Sequence, residues 1–124
     1  MPRGHGAMAR PRARNSNGAA RRRVRSWLRS QGRGCWICRA FGRPDAIDYS
    51  LPAGHPLSFE VDELVPFSLG GSATDPRNVD AAHRCCNEWR GNRTVAEVLA
   101  IAREGKGGTK SAPARAEGAV SRDW

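Results

Sequence analysis

The sequence predicts a small α+β domain, and three patterns lead to that fold class. Residues 57–68 alternate apolar and polar side chains, which is typical of a half-buried β-strand. Residues 94–104 repeat apolar side chains at helical spacing behind a capping box. Two pairs of metal-ligand residues, each with two residues between its members, stand on either side of the strand pattern. A chain of 124 residues with long polar ends has a small core, so we expect a metal ion to stabilise it.

The N-terminal third predicts a basic arm followed by a basic helix. Residues 1–18 are rich in Pro, Gly, Arg and Asn and have too few apolar groups to fold, so we expect a disordered arm. From residue 19 onward, Val24, Trp27 and Leu28 form a short apolar stripe, and Gly32 stands near the expected end of the helix. The other faces are nearly all arginine. They suit contact with a phosphate backbone, with a merely solvated face as the alternative.

The charge of the chain is distributed unevenly. Its formal net charge is +9, yet the twelve arginines before Asp45, the first acidic residue, give residues 1–44 a charge of +12 and leave the remainder at −3. This asymmetry favours a polyanionic partner, above all nucleic acid. A basic tail kept for solubility, or a GC-rich coding bias, is the alternative. The arginines predicted to contact nucleic acid are Arg21, Arg22, Arg23, Arg25, Arg84, Arg90 and Arg93.

The middle of the chain predicts a turn, two short strands and a helix. Residues 34–38 indicate a tight turn, and residues 39–57 a connection with frequent Gly and Pro. The first strand is expected to end at Pro66, and a turn-rich loop leads to a second strand around Asn78 and Val79. Residues 80–92 can then form a helix that ends near Gly91.

The C-terminal part predicts the most distinct helix of the chain. Thr94 is expected as its N-cap and Glu97 as the capping-box partner. The residues expected on one apolar face are Val95, Val98, Leu99 and Ala102. From residue 105 onward the composition is that of a flexible tail.

The chain shows neither an apolar segment typical of a secretion signal nor a run of about 18–20 apolar residues. We therefore expect a soluble intracellular protein whose cysteines do not form disulfides.

Four residues are predicted to bind a structural zinc ion. Cys35 and Cys38 form one pair, and the segment HRCC offers either His83 with Cys86 or the adjacent cysteines. Adjacent residues rarely bind the same ion in a small site, whereas His83 and Cys86 lie on one helical turn. The expected site is therefore a tetrahedral Cys3His zinc centre of Cys35, Cys38, His83 and Cys86, with Cys85 left over. Uncoordinated core cysteines are the alternative.

Two adjacent acids, Asp62 and Glu63, stand inside the apolar strand pattern. In a regular strand their side chains point to opposite faces, and Glu63 falls on the side of Phe59 and Val61. A bend at Pro66 that lets both acids reach water, or pair with arginines, would be a purely structural explanation.

The segment FEVDELVPFSLGG, followed by DPRNVDAAHRCCNEWRGN, resembles the HNH, or ββα-metal, nucleases, particularly the small zinc-containing members of phages and their bacterial hosts. The resemblance covers residues 35–93, about half of the chain. The matching positions are Asp62, Leu64, Val65 and Pro66 for the first strand, Gly70 and Gly71 for the glycine pair, Asn78 for the middle asparagine, Asn87 for the last motif position, and Cys35, Cys38, His83 and Cys86 for the flanking zinc pairs.

The resemblance implies a role for each motif residue. Asp62 and Asn87 would hold a divalent cation, commonly Mg²⁺, against the scissile phosphate, and Asn78 would orient the loop or the base. Glu63 occupies the position of the family's general-base histidine. It could act as the base, serve as a second cation ligand, or mark the loss of catalysis. His55 is a reserve candidate for the base.

The resemblance implies a metal-dependent endonuclease that hydrolyses phosphodiester bonds in double-stranded DNA, in the cytoplasm of a bacterial host cell. By analogy, the protein would act together with a phage terminase during genome packaging, and homing or restriction are weaker alternatives. The main alternative is a catalytically inactive zinc-containing DNA-binding or terminase-accessory module. The expected organisation is a basic arm at 1–18, an HNH domain at 19–104 with its motif core at 35–93, and a flexible tail at 105–124.

Overall fold

The structure, a computed structural model, describes the backbone of residues 5–104 and Pro113, and the side chains of residues 18–104 and Pro113. It confirms the α+β fold class for this part of the chain. The helices and strands follow in the order α1 (His5–Ser30), α2 (Trp36–Ala40), β1 (Phe59–Glu63), β2 (Val79–His83), α3 (Arg84–Arg90) and α4 (Val95–Glu104), with short 3-10 turns at Phe67–Leu69 and Pro76–Asn78 between the strands.

Strands β1 and β2 form a two-stranded antiparallel sheet. Its register pairs Phe59 with His83, Asp62 with Asp80, and Glu63 with Val79. Helix α3 begins directly after β2 and packs against both strands. This arrangement places the side chains of α3 next to those of β1, where the two acids lie.

The core lies between the sheet and the four helices. Helix α1 contributes Val24 and Leu28, α4 contributes Val98, and β2 contributes Val79 and its two alanines. Small residues in β2 allow close packing of the neighbouring elements. A two-stranded sheet is marginally stable by itself, so these contacts with helices hold it in place.

The capping box of α4 is confirmed. The Thr94 backbone N–H donates to the Glu97 carboxylate at 2.8 Å, and the Glu97 backbone N–H donates to the Thr94 hydroxyl at 3.1 Å. These reciprocal bonds satisfy two backbone donors at the start of the helix.

Strand β1 ends at Glu63 rather than at the predicted Pro66, and three further element boundaries differ from the sequence prediction. Helix α1 begins at His5, so its backbone extends into the segment that was predicted to be a disordered arm. The predicted turn at 34–38 runs into the short helix α2, because the Cys35 sulfur accepts a bond from the Cys38 N–H and caps it. Residues 80–83, predicted to be helical, belong to β2 because pairing with β1 buries residues 81–83.

Residues 1–4 of the predicted arm and the predicted tail beyond residue 104, apart from Pro113, lie outside the described residues. The proposed domain boundaries stay a prediction. Among the described helices, none has the length and apolar composition needed to cross a membrane.

Candidate metal centre and adjoining cleft

The four predicted zinc ligands come together in a buried cluster. Cys35 precedes α2, Cys38 lies within α2, His83 ends β2, and Cys86 lies in α3. One ligand atom from each residue lies within 4.8 Å of the others, and all four residues are buried. The cluster therefore joins the two halves of the motif and can hold a metal ion.

The distances within the cluster fit a tetrahedral zinc site. The Cys38 and Cys86 sulfurs are 3.7 Å apart, and the His83 Nδ1 atom is 3.5 Å from Cys38 Sγ and 4.0 Å from Cys86 Sγ. Zn–S bonds of about 2.3 Å and Zn–N bonds of about 2.0 Å predict edges of roughly 3.8 Å and 3.5 Å for a tetrahedron. The donor set of three thiols and one imidazole is one that zinc prefers.

A hydrogen bond fixes the orientation of the His83 ring, because Nε2 donates to the Ala46 carbonyl oxygen at 3.1 Å. That bond leaves Nδ1 facing the thiols, as a metal-ligating histidine requires. Burial by itself lowers the pKa of His83, but hydrogen bonds to Cys35 and Cys38 raise it to about 10. Hydrogen bonds from Cys38 and Cys86 lower the pKa of Cys35 far below that of a free thiol, so thiolate, the form that binds metal, is favoured there.

Cys85 lies outside the cluster and is half-buried, as predicted for the leftover cysteine. Trp36 is buried in the core, and Trp89 packs edge-on against Phe41 at 5.7 Å between ring centroids. Trp36 therefore belongs to the core that contains the cysteines of the cluster, and Trp89 packs against that core.

Asp62 is not an open cation ligand, although the resemblance implied that role. Its side chain is buried, with 5% of the residue exposed, and both oxygens have partners. Arg90 donates to Oδ1 at 2.7 Å, and the Trp36 indole donates to Oδ2 at 2.8 Å. Burial raises the pKa of Asp62, while the bonds from Arg90 and Trp36 act in the opposite direction. Asp62 therefore belongs to a buried ion pair that connects β1, α2 and α3.

Arg90 is a structural cation rather than the exposed phosphate contact that the sequence predicted. It is 3% exposed, and besides Asp62 it binds the backbone carbonyls of Glu63, Leu64 and Arg93. A guanidinium group offers five donors, which suits it to this cluster of acceptors. Arg90 thus ties the end of β1 to the end of α3.

The other two predicted arginines of this region also have internal partners. Arg84 forms ion pairs with Glu60 at 3.6 Å and Glu88 at 3.0 Å. Arg93 donates to the Trp89 carbonyl oxygen and lies over the Trp89 ring, 4.4 Å from its centroid. Arg93 remains half-buried at the edge of a cleft, so it still has access to a ligand there.

A cleft of about 640 Å³ opens where β1, the loop after it and the end of α3 meet, and Glu63 and Asn87 are both among the residues that line it. Asn87 donates through Nδ2 to Glu60 at 2.9 Å. Among the described residues, no donor binds Asn87 Oδ1 and no cation pairs with the Glu63 carboxylate. Two residues that line the cleft therefore each have a side-chain oxygen without a partner among the described residues.

Asn78 fixes the loop that forms one wall of this cleft. Its Oδ1 accepts from the Val65 N–H at 3.0 Å, and its Nδ2 donates to the carbonyl oxygens of Val65 at 2.9 Å and Ser72 at 3.0 Å. Gly71 lies so close to Val65 that a Cβ atom would be 1.6 Å from the Val65 carbonyl oxygen. The expectation that Asn78 orients the loop agrees with these bonds.

Helix α1 presents exposed arginines beside a second groove of about 330 Å³. Arg21 and Arg25 line this groove, and Arg25 lies over the Phe59 ring at 5.1 Å. Glu63 lines both the cleft and the groove, so the two are neighbours. His55, the reserve base, accepts from the Leu57 N–H through Nδ1 and lines neither of them.

Glu60 was not predicted as a site residue, and Arg90 was not singled out as the partner of Asp62, although pairing of the two acids with arginines was one alternative. Glu60 lies two residues before Asp62 on the same strand face, and this period of two was a usable signal. The spacing from residue 62 to residue 90 carries no such signal, because only the packing of α3 on β1 brings the two together.

Comparison of the chain with protein-family models, with curated proteins and with solved structures found no match.

Proposed function

We propose that the protein is a metal-dependent endonuclease that hydrolyses phosphodiester bonds in double-stranded DNA. The observation that carries this proposal is that Glu63 and Asn87 line one cleft of a strand–strand–helix unit, while among the described residues neither the Glu63 carboxylate nor Asn87 Oδ1 has a partner. The resemblance of residues 35–93 to the HNH nucleases supports the same reaction. Zinc in the Cys3His cluster would be a structural ion, remote from the chemistry.

Glu63 and Asn87, rather than Asp62, would hold the divalent cation of this reaction. Carboxylate and amide oxygens suit a hard cation such as Mg²⁺. When bound, such an ion neutralises charge on a phosphoryl oxygen and lowers the pKa of a water molecule. Arg93 would contact a neighbouring phosphate from the rim of the cleft. Glu60 would position Asn87 by accepting its Nδ2–H, which directs Oδ1 away from that bond.

The nuclease proposal predicts that Glu63→Gln and Asn87→Ala each reduce cleavage by about 100-fold or more, because glutamine lacks the negative charge of the carboxylate and alanine lacks the amide oxygen. The assay is nicking of supercoiled plasmid by zinc-loaded protein with added Mg²⁺ or Mn²⁺. Glu88→Gln, which neutralises an exposed acid on the same helix, should cleave as the wild type does. Circular dichroism melting of each variant confirms that the fold is intact.

A Glu63→Gln protein that cleaves normally would remove Glu63 from the mechanism. Absence of cleavage by the wild type with either cation, together with salt-sensitive retention of DNA, would favour the second candidate function. That candidate is a zinc-containing DNA-binding or terminase-accessory module without hydrolytic activity. One observation favours it specifically, namely that the Asp62 carboxylate is already bound by Arg90 and Trp36.

Both candidates require DNA binding, for which the exposed arginines of α1 would supply affinity that is independent of sequence. Replacing Arg21, Arg22 and Arg23 together by glutamine should weaken binding and reduce the slope of log affinity against log salt by roughly 2 to 3, because each phosphate contact contributes about 0.9. Fluorescence anisotropy with a labelled duplex at several salt concentrations measures this slope. Arg77→Gln is the matched control, since Arg77 is an exposed cation already paired with Asp75.

An unchanged slope in the triple variant would show that α1 does not contact phosphate. The basic face would then be a solvated surface, as the sequence analysis left open.

A further inference from the structure

An apolar knuckle projects from the loop beside the cleft. Three of the large apolar side chains that are exposed in the described structure lie within five residues, namely Val65 at 44%, Phe67 at 80% and Leu69 at 65%. We call residues 65–69 the knuckle. Single exposed apolar residues are ordinary, but a group of them at a tip indicates an interaction site.

The knuckle is held in a defined conformation. Asn78 binds the backbone of Val65 on both sides, and backbone bonds join Leu69 and Gly71 to the Pro66 carbonyl oxygen at 2.9 and 3.0 Å. Gly70 continues the turn with a φ of 96°, which glycine adopts readily. A rigid apolar tip can enter a partner without the entropic cost of ordering a loop.

The position of the knuckle determines what can cover it. Val65 and Leu69 line the same cleft as Glu63, Asn87 and Arg93, so a molecule that occupies the cleft also touches the knuckle. A protein docked on the knuckle would obstruct the cleft. If DNA occupies the cleft, the knuckle must meet the duplex.

We propose that the knuckle is a wedge that enters the minor groove of duplex DNA, with Phe67 inserted between adjacent base pairs. This inference rests on the proposed function. Apolar side chains inserted at a base step partly unstack it and kink the duplex. Contacts between basic side chains and the flanking phosphates offset the free-energy cost of this deformation. Arg93 in the cleft and the arginines of α1 in the adjacent groove are suitable cations. Phe67 thereby makes binding depend on how easily the DNA step opens.

The test compares zinc-loaded wild-type protein with Phe67→Ala on two duplexes that differ only in a central TpA or ApA step. Pyrimidine–purine steps unstack more easily, so the wild type should prefer TpA and bend it. Magnesium is omitted to prevent cleavage, and chelators are avoided because they would remove zinc. Anisotropy reports affinity, energy transfer between end labels reports bending, and 2-aminopurine at the central step reports unstacking.

Phe67→Ala should lower affinity for the TpA duplex by about 5- to 100-fold and abolish the bend, the step preference and the 2-aminopurine signal. Phe67→Trp should restore all four, since a large ring is retained. Leu99→Ala, which truncates an exposed apolar residue on α4, should behave as wild type. Phe67 is largely exposed, so its variants should melt at the wild-type temperature.

Binding and bending that are the same in wild type and Phe67→Ala would overturn the wedge while leaving the nuclease proposal intact. Normal DNA binding with loss of a protein partner in Phe67→Ala would make the knuckle a protein-docking surface, and would overturn it as well. Failure of the wild type to bind any duplex would overturn the proposed function and the wedge together.

Discussion

Removal of zinc is expected to unfold the domain. The cluster joins α2 to β2 and α3, and all four ligand residues are buried. Structural zinc contributes roughly 10–16 kcal/mol of apparent binding free energy in zinc-finger peptides. That is comparable to the whole stability of a typical domain, about 5–15 kcal/mol. The chain without metal should therefore lose its cooperative melting transition.

The measurement combines metal content with unfolding. Mass spectrometry of the purified protein should give one zinc per chain, and an excess of chelator should abolish both the zinc and the circular dichroism melting transition. Cys38→Ser should bind zinc weakly and melt without cooperativity. Cys85→Ser is the matched control, because Cys85 is the neighbouring cysteine outside the cluster. A chelated chain that still melts cooperatively would contradict a structural role for the metal.

Loss of Arg90 is expected to be the most destabilising single change outside the zinc cluster. Arg90→Met leaves the buried Asp62 carboxylate without its cation and three backbone carbonyls without a donor. Breaking a buried ion pair by removing one partner costs about 3–5 kcal/mol. Urea unfolding of zinc-loaded protein should show a loss of this size.

Two further variants separate this cause from a general effect of the substitution. Adding Asp62→Leu to Arg90→Met should recover part of the loss, because it removes the orphaned carboxylate. Glu88→Gln breaks an exposed i,i+4 ion pair with Arg84 on the same helix and should cost only about 0.3–0.5 kcal/mol. If Arg90→Met unfolds at the urea midpoint of the wild type, the pair is not structurally important.

The raised pKa of Asp62 gives the physical reason that this pair is a poor cation site. Desolvation of the Asp62 carboxylate raises its pKa by more than the bonds from Arg90 and Trp36 lower it. A divalent cation would have to displace Arg90, and the displaced guanidinium would remain buried without its partner. Glu63, half-buried and without a cation among the described residues, presents no such barrier.

Local patterns in the sequence determined the elements that depend on near neighbours. The capping box of Thr94 and Glu97 and the stop at Gly91 follow from contacts within a few residues, and the alternating pattern around Phe59–Glu63 indicated a strand. The four candidate zinc ligands were also predictable, because each pair has two residues between its members and all four side chains are of types that bind zinc.

Only the tertiary structure decided the roles of the acids and arginines. Residues 80–83 carry no pattern that excludes a helix, and pairing with β1 makes them a strand. That register, together with the packing of α3, brings Arg90 to Asp62 across 28 positions and places Glu63 and Asn87 among the residues that line one cleft. The amino-acid sequence determines which charged groups the chain contains. The fold determines which charges are neutralised inside it and which remain for a ligand, because pairing depends on distances of a few ångströms between residues far apart in the chain.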